Sequence, residues 1–195
     1  MSEKVKVAVL VSGGGTNLQA LIDKEASGEL ADTKIVRVIA SKDTAYALER
    51  AAKAGIETSV ARTQDEVLKQ LKDCDAEFIV LAGYMSVLAP EIIKEYRNRI
   101  INIHPSLIPK YCGKGFYGIR VHRAVIEGGE NESGATVHFV DEGVDTGEII
   151  IQEKVPVLDG DTPEDLAARV LKVEHRILAE GLNKVVENYK RGGNN

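Results

Sequence analysis

The chain has 195 residues, of which 44% are hydrophobic and 28% charged, and its formal net charge is −5. This balance is typical of a globular protein in solution and argues against broad binding to nucleic acids or membrane surfaces. Two cysteines, Cys74 and Cys112, are too few for a disulfide framework or a four-cysteine zinc site, so we expect a reducing, cytoplasmic location. We see no signal peptide or membrane-spanning segment, and expect one domain at residues 1–190 before a frayed tail at 191–195.

Strands and helices alternate along the first half of the chain. Apolar runs that are typical of buried parallel strands lie at residues 5–11, 34–41, 56–60, 77–82 and 100–104. Apolar residues at helical spacing lie between them, from about residue 17 and at 45–54, 64–71 and 91–96. This order predicts an α/β fold of Rossmann-like type with a doubly wound, mostly parallel sheet.

A glycine-rich turn, Ser12-Gly13-Gly14-Gly15-Thr16-Asn17, joins the first strand to the first helix. Backbone N–H groups at the start of a helix attract anions. The turn lacks the Gly-Lys-Ser/Thr of a P-loop, and Leu18 stands where a dinucleotide fingerprint needs its third glycine. The turn therefore favours a phosphate monoester, with a plain tight turn as the alternative reading.

The stretch from Ile100 to Lys110 begins as a strand and ends in polar residues. Asn102 and His104 are two residues apart, so they share one face of the strand. Pro105 ends the strand because proline has no N–H for the ladder. Open α/β sheets hold their ligands at the carboxyl ends of strands, so this pair predicts a functional site, although a structural role fits the same stretch.

The second half of the chain is less regular. Residues 105–120 are predicted as a long loop, followed by a helix at 121–127 and an antiparallel strand pair at 135–140 and 149–156. A long helix should then run from Pro163 to Tyr189, with Thr162 as its N-cap. On that helix Glu174 lies about 80° around the axis from Leu166, beside the apolar stripe, so its carboxylate needs a partner.

An acidic segment, 141–147, joins the last two strands. It does not fit a calcium loop, because Gly143 stands where an aspartate or asparagine is required and Gln152 where a bidentate glutamate is required. We also predict no zinc site and no covalent catalysis, since the histidines lack ligand spacing and neither cysteine has a histidine partner in sequence; His122, His138 and His175 are interpreted as structural. An amide, an imidazole and a carboxylate remain, a set suited to attack of an amine on a carbonyl carbon.

Five motifs, in order, resemble the folate-dependent formyltransferases, and within them the phosphoribosylglycinamide formyltransferases. They are VSGGGTNLQA at 11–20, LAGYM at 81–85, INIHPSLIP at 101–109, VHFV at 137–140 and VDTG at 144–147. The resemblance implies transfer of a formyl group from 10-formyltetrahydrofolate, as co-substrate, to the amine of 5-phosphoribosylglycinamide in purine biosynthesis. It also implies small-molecule partners only, and we expect a monomer or homodimer without metal, nucleic acid or membrane.

The same resemblance implies roles for individual residues. Asn102, His104 and Asp145 correspond to the catalytic trio. The substrate-binding residues correspond to Gly14, Gly15, Thr16, Asn17 and Glu174. The folate-binding residues correspond to Arg62, Met85, Ser86, Val87, Leu88, Asn102, Val140, Asp141, Glu142, Gly143, Val144 and Asp145.

The segment after Pro109 departs from the family pattern. Lys110 to Arg120 looks like an insertion of a few residues, and Arg120 stands where many relatives have a histidine. Two alternatives stay open. One is another formyltransferase, for methionyl-tRNA or a sugar nucleotide, or a formyl-folate hydrolase, although those relatives carry extra domains. The other is a nucleotide-binding module without catalysis.

Overall fold

The computed structural model describes residues 3–192, so positions 193–195 of the predicted tail lie outside the described residues. Strands and helices alternate within this range. Their bounds are β1 (Val5–Val11), α1 (Thr16–Ser27), β2 (Thr33–Ala40), α2 (Ala47–Lys53), β3 (Glu57–Val60), α3 (Gln64–Asp73), β4 (Phe78–Leu81), α4 (Pro90–Glu95), β5 (Ile100–His104), α5 (Ile119–Glu127), β6 (Glu132–Phe139), β7 (Ile149–Pro156) and α6 (Pro163–Lys190).

The strands form one seven-stranded sheet in the order β3-β2-β1-β4-β5-β6-β7. The first five strands pair in parallel, whereas β6 is antiparallel to β5 and β7 is antiparallel to β6. This confirms the predicted Rossmann-like sheet with its antiparallel strand pair. From β1 the chain adds β2 and β3 on one side of the sheet, and it then adds β4 and the later strands on the other side. This reversal leaves a crevice at the carboxyl ends of β1 and β4.

Apolar side chains cover both faces of the sheet. On one face, residues such as Val9 and Val80 pack with the inner sides of α1 and α6. On the other face, Leu10 and Ile79 pack with α3 and α4. Because neighbouring residues of β1 and β4 point into different apolar clusters, both strands are apolar almost without interruption, as a buried parallel strand requires.

Strand β6 begins at Glu132, three residues before the predicted start at Ala135. Its first residues pair with the end of β7, and this backbone pairing extends the strand over polar residues that the apolar pattern did not include. Gly134 is required there, because a Cβ atom would lie 2.0 Å from the carbonyl oxygen of Glu153. Helix α5 likewise begins at Ile119, two residues before the predicted start.

Helix α6 begins as predicted, with a capping box. The Thr162 side chain accepts from the Asp165 N–H, and the Asp165 carboxylate accepts from the Thr162 N–H. The helix packs along α1 and the sheet and carries Glu174 on its buried side. No helix within residues 3–192 combines the length and apolar character needed to cross a membrane.

Candidate active site

A cavity of about 710 Å³ lies at the carboxyl ends of β4 and β5, between the loop that follows β5 and helix α6. Most of the site residues predicted from the sequence line it. They are Asn17, Met85, Ser86, Val87, Leu88, Asn102, His104, Val140, Asp141, Gly143, Val144, Asp145 and Glu174. Two loops, strand β5 and helices α1 and α6 therefore bring these residues together.

Five predicted residues do not line this cavity: Gly14, Gly15 and Thr16 of the glycine-rich turn, described below, and Arg62 and Glu142. Arg62 forms an exposed ion pair with Asp43 at 3.0 Å. Glu142 pairs with Arg97 at 2.9 Å and lines a different cavity, near the end of α6. Neither Arg62 nor Glu142 lines the cavity that holds the other predicted folate-binding residues.

His104 is held between two acceptors. Its Nε2 atom lies 2.9 Å from the carbonyl oxygen of Tyr111, and its Nδ1 atom lies 3.5 Å from Oδ2 of Asp145. Burial lowers the pKa of His104, while the Tyr111 carbonyl and the Asp145 carboxylate oppose that effect. Burial is the larger effect, so the pKa of His104 stays below its ordinary value and the free site favours the neutral imidazole.

The Asp145 carboxylate lies between one backbone N–H and two histidine rings. Its Oδ2 atom accepts from the Gly113 N–H at 2.9 Å, and its Oδ1 atom lies 3.6 Å from Nε2 of His138. Burial raises the pKa of Asp145, but the contacts with His138, His104 and the Gly113 amide outweigh it and leave the pKa below its ordinary value. Asp145 is thus a carboxylate at neutral pH and supplies negative charge beside the imidazole.

Asn102 lies on β5 opposite His138 of β6, and its Nδ2 atom is 3.1 Å from Nε2 of that histidine. His138, interpreted from the sequence as structural, is therefore part of the site. The sequence pattern that bears on His138 is the alternation along β6, which places this residue on the same face as Thr136. That pattern does not reveal Asn102 as its partner, because pairing across the ladder depends on strand register.

The glycine-rich turn is shaped by helix α2. Gly15 has a φ of 72°, and a Cβ atom there would lie 2.6 Å from Cβ of Ala47. The carbonyl of Gly13 accepts from the Ala47 N–H and that of Gly14 accepts from Arg50 Nε, at 3.1 and 2.8 Å. These two carbonyls are occupied by α2, whereas the first N–H groups of α1 have no partners within the helix. The turn is therefore suited to bind an anion. Gly14, Gly15 and Thr16 lead directly to the cavity at Asn17.

Glu174 has the partner that its position on α6 required. Asn17 Nδ2 donates to Oε2 of Glu174 at 2.8 Å, and both side chains are buried. Burial raises the pKa of Glu174, while the Asn17 contact lowers it in part. Oδ1 of Asn17 is buried without a partner among the described residues, so the pair offers acceptor atoms to a ligand.

His122 also lines the cavity, from helix α5. It is buried, and its Nδ1 atom has no hydrogen-bond partner among the described residues. Burial, together with the charge of His104, lowers the pKa of His122 to about 4, so the ring is neutral. Sequence patterns gave no reason to separate it from an ordinary core histidine.

The loop after Pro109 closes one side of the cavity through Gly113, Lys114, Gly115, Phe116 and Tyr117. Its contribution could not be read from composition, because it acts largely through backbone atoms. Within residues 3–192, no three His, Cys, Asp or Glu side chains are grouped so that they could hold a metal ion.

Comparisons with known proteins agree with this geometry. A family model described as formyl transferase matches residues 5–182. The trifunctional purine biosynthetic protein adenosine-3 of Drosophila pseudoobscura pseudoobscura is 46% identical over 205 residues, which cover 95% of this chain and 14% of that protein. The chain thus spans about a seventh of the length of that relative.

Two further proteins match along most of their length. Phosphoribosylglycinamide formyltransferase of Escherichia coli (strain K12) is 38% identical over 200 residues, covering 94% of this chain and 92% of that protein. The crystal structure of glycinamide ribonucleotide transformylase 1 from Symbiobacterium toebii has a TM-score of 0.89 at 38% identity, covering 96% of this chain and 90% of that one. On these grounds, the chain belongs to the formyl transferase family.

Proposed function

We propose that this protein transfers the formyl group of 10-formyltetrahydrofolate to the amine of 5-phosphoribosylglycinamide, a step of purine biosynthesis. The observation that carries the proposal is one cavity lined by Asn102, His104 and Asp145 and also by the hydrogen-bonded pair of Asn17 and Glu174. The names of the relatives support the same substrates. Unpaired Cys74 and Cys112 support a cytoplasmic location.

The reaction needs stabilisation of an oxyanion. When the amine attacks the formyl carbon, the formyl oxygen becomes negatively charged, and a donor held in place for it lowers the barrier. One hydrogen of the Asn102 amide points to His138, which leaves the second for this oxygen. Both nitrogens of His104 face protein acceptors, so we assign His104 the role of a nearby positive charge rather than that of the first donor.

Proton transfer completes the reaction. The attacking amine gains positive charge and must lose a proton, and the folate nitrogen that leaves must gain one. Asp145 stabilises the imidazolium form of His104, so the pair can take up and return a proton through water. The glycine-rich turn would hold the phosphate of the substrate, and Glu174 with Asn17 would accept hydrogen bonds from its polar groups.

The test is a turnover assay of the full chain with 10-formyltetrahydrofolate and three acceptors: 5-phosphoribosylglycinamide, methionyl-tRNA and water. Appearance of the folate product is followed by absorbance. We expect product only with 5-phosphoribosylglycinamide. Product with methionyl-tRNA or water instead would assign the chain to another formyltransferase or to a hydrolase, and no product with any acceptor would favour a binding module.

Two variants test the assigned residues. His104→Ala and Asp145→Asn should each reduce kcat by about 100-fold or more, the effect of losing a positioned acid–base group. Asp159→Asn, an exposed aspartate outside the cavity, is the matched control and should retain full turnover. Losses below about tenfold, or roughly 1.4 kcal/mol, would contradict the roles of His104 and Asp145.

A further inference from the structure

The loop after Pro109 contacts two of the assigned catalytic groups with its backbone. The carbonyl oxygen of Tyr111 lies 2.9 Å from Nε2 of His104, and the N–H of Gly113 donates to Oδ2 of Asp145 at 2.9 Å. The mechanism described above uses the first contact only to argue that His104 is not the first donor, and it does not use the second. Both contacts come from the segment after Pro109 that the sequence analysis distinguished from the family pattern.

The Tyr111 carbonyl determines which nitrogen of His104 carries hydrogen. A carbonyl oxygen only accepts, so the favourable contact requires a hydrogen on Nε2. Nδ1 then bears a lone pair in the neutral ring and faces the Asp145 carboxylate, which makes protonation at Nδ1 favourable. The other titratable groups near the ring are His138 on β6 and His122 on α5, and positive charge on either would oppose that protonation.

The backbone of Tyr111 is strained in order to make this contact. Its φ of 53° lies in the left-handed region, which is unfavourable for a residue other than glycine. The side chain offsets that cost. Its hydroxyl donates to Oε1 of Glu130 at 3.1 Å, and its ring packs edge-on against Phe116 with centroids 6.1 Å apart.

Gly128 provides the space for this side chain. A Cβ atom at Gly128 would lie 2.2 Å from Oη of Tyr111 and 3.3 Å from its Cζ atom. The backbone of Gly128 has a φ of −74°, which any residue adopts, so the missing side chain matters here rather than the backbone freedom of glycine. The phenol of Tyr111 thus fits against the end of α5 only because position 128 has no side chain.

We propose that Tyr111 is a positioning residue for His104: its side chain, seated on Gly128 and bonded to Glu130, holds its own carbonyl against Nε2 of the imidazole. This contact sets the orientation of the ring and keeps Nδ1 turned toward Asp145. The consequence for turnover rests on the proposed function, whereas the state of the ring does not.

The first test observes the ring itself. In the full chain labelled with ¹⁵N-histidine, NMR should find the neutral form of His104 with its hydrogen on Nε2; the signals of His104 are those lost in His104→Gln. In Gly128→Ala the new methyl displaces the phenol, so we expect a mixture of tautomers and a lower pKa for His104. Hydrogen on Nδ1 in the unaltered protein would overturn the proposal.

A double variant provides a rescue. Tyr111→Phe lacks the hydroxyl that the methyl of Gly128→Ala would meet, so combining them should restore the Nε2 tautomer toward that of Tyr111→Phe alone. Glu130→Gln keeps an acceptor for the phenol and should behave as the unaltered protein. An unchanged His104 titration and tautomer in both Gly128→Ala and Tyr111→Phe would refute the positioning role.

The kinetic readout follows from the same contact. If charged His104 promotes the reaction, activity falls as the pH rises through its pKa, so Gly128→Ala should move that limb of the kcat/KM profile to lower pH by about half a pH unit. KM for 5-phosphoribosylglycinamide should change less than twofold, because the glycine-rich turn is untouched. Lower activity without a shift of the pH profile would indicate a merely structural role for Tyr111 and would contradict the proposal. Absence of activity in the unaltered protein would refute the proposed function, and the NMR result would then decide this inference.

Discussion

Asn102 and His138 are direct partners across the β5–β6 ladder, and their side chains meet at 3.1 Å. Nδ1 of His138 donates to the carbonyl oxygen of Phe139 at 2.8 Å, so in the neutral ring Nε2 is the acceptor. The Asn102 amide must therefore direct its NH2 group toward His138. The ladder register thus determines which end of the amide faces the cavity.

This arrangement predicts that His138 acts through Asn102. In His138→Ala the amide is free to rotate, so we expect kcat to fall about tenfold, roughly 1.4 kcal/mol, with a smaller change in KM. In an Asn102→Ala background the same substitution should have little further effect. Steady-state kinetics of the two single variants and the double variant measure this coupling; strictly additive losses would contradict it.

Glu174→Gln separates binding from stability. Loss of the negative charge should raise KM for 5-phosphoribosylglycinamide about tenfold or more, since charge-assisted hydrogen bonds are stronger than neutral ones. Because burial raises the pKa of Glu174 in the folded state, its ionisation reduces stability as the pH rises through that pKa. The variant should therefore be at least as stable as the unaltered protein at pH 8, as measured by urea unfolding. Glu180→Gln, at an exposed ion pair with Arg176, is the control and should leave KM unchanged.

Gly15→Ala should damage the glycine-rich turn. The substitution combines a left-handed φ of 72° with a Cβ atom 2.6 Å from that of Ala47 and 2.8 Å from its Cα atom. We expect a loss of about 2 kcal/mol in unfolding free energy and at least a tenfold rise in KM for the phosphorylated substrate. Gly13→Ala, where a Cβ atom meets nothing within 4 Å, should show neither effect. Equal behaviour of the two variants would argue against a shaped anion site.

His122 predicts a pH dependence of stability. Its pKa in the folded state is about 4, below the ordinary value of 6.5, so the unfolded chain binds more protons between these values and stability is lost as the pH falls through that window. From pH 7 to pH 5 this group accounts for a loss of about 2 kcal/mol. His122→Leu should remove that part of the loss, which urea unfolding of both proteins at pH 7 and pH 5 measures. Parallel losses in both proteins would show that His122 is not the cause.

Much of this molecule could be predicted from local patterns. The apolar runs of β1 and β4 and the spacing of α6 predicted their elements closely, because periodicity is a property of neighbouring residues. Asn102 and His104 could be placed at the carboxyl end of β5 for the same reason. Glu174 could be recognised as needing a partner from its angle on the helix alone.

The tertiary structure decided which groups meet. Asn17 and Glu174 are 157 residues apart, and His138 faces Asn102 only through the register of an antiparallel ladder. The residue types alone suggested neither pair. Such contacts depend on how elements pack, and local periodicity carries no information about packing partners.

The loop after Pro109 shows most clearly why local patterns were not enough. Every residue except proline carries the same backbone N–H and carbonyl groups, so nothing in the sequence marks the Tyr111 carbonyl or the Gly113 amide as the ones that reach His104 and Asp145. By itself, the sequence determined the strands and the helices, and it predicted which residues carry the chemistry. Only folding decided the partners of those residues, because a backbone group gains its role from position and not from residue type.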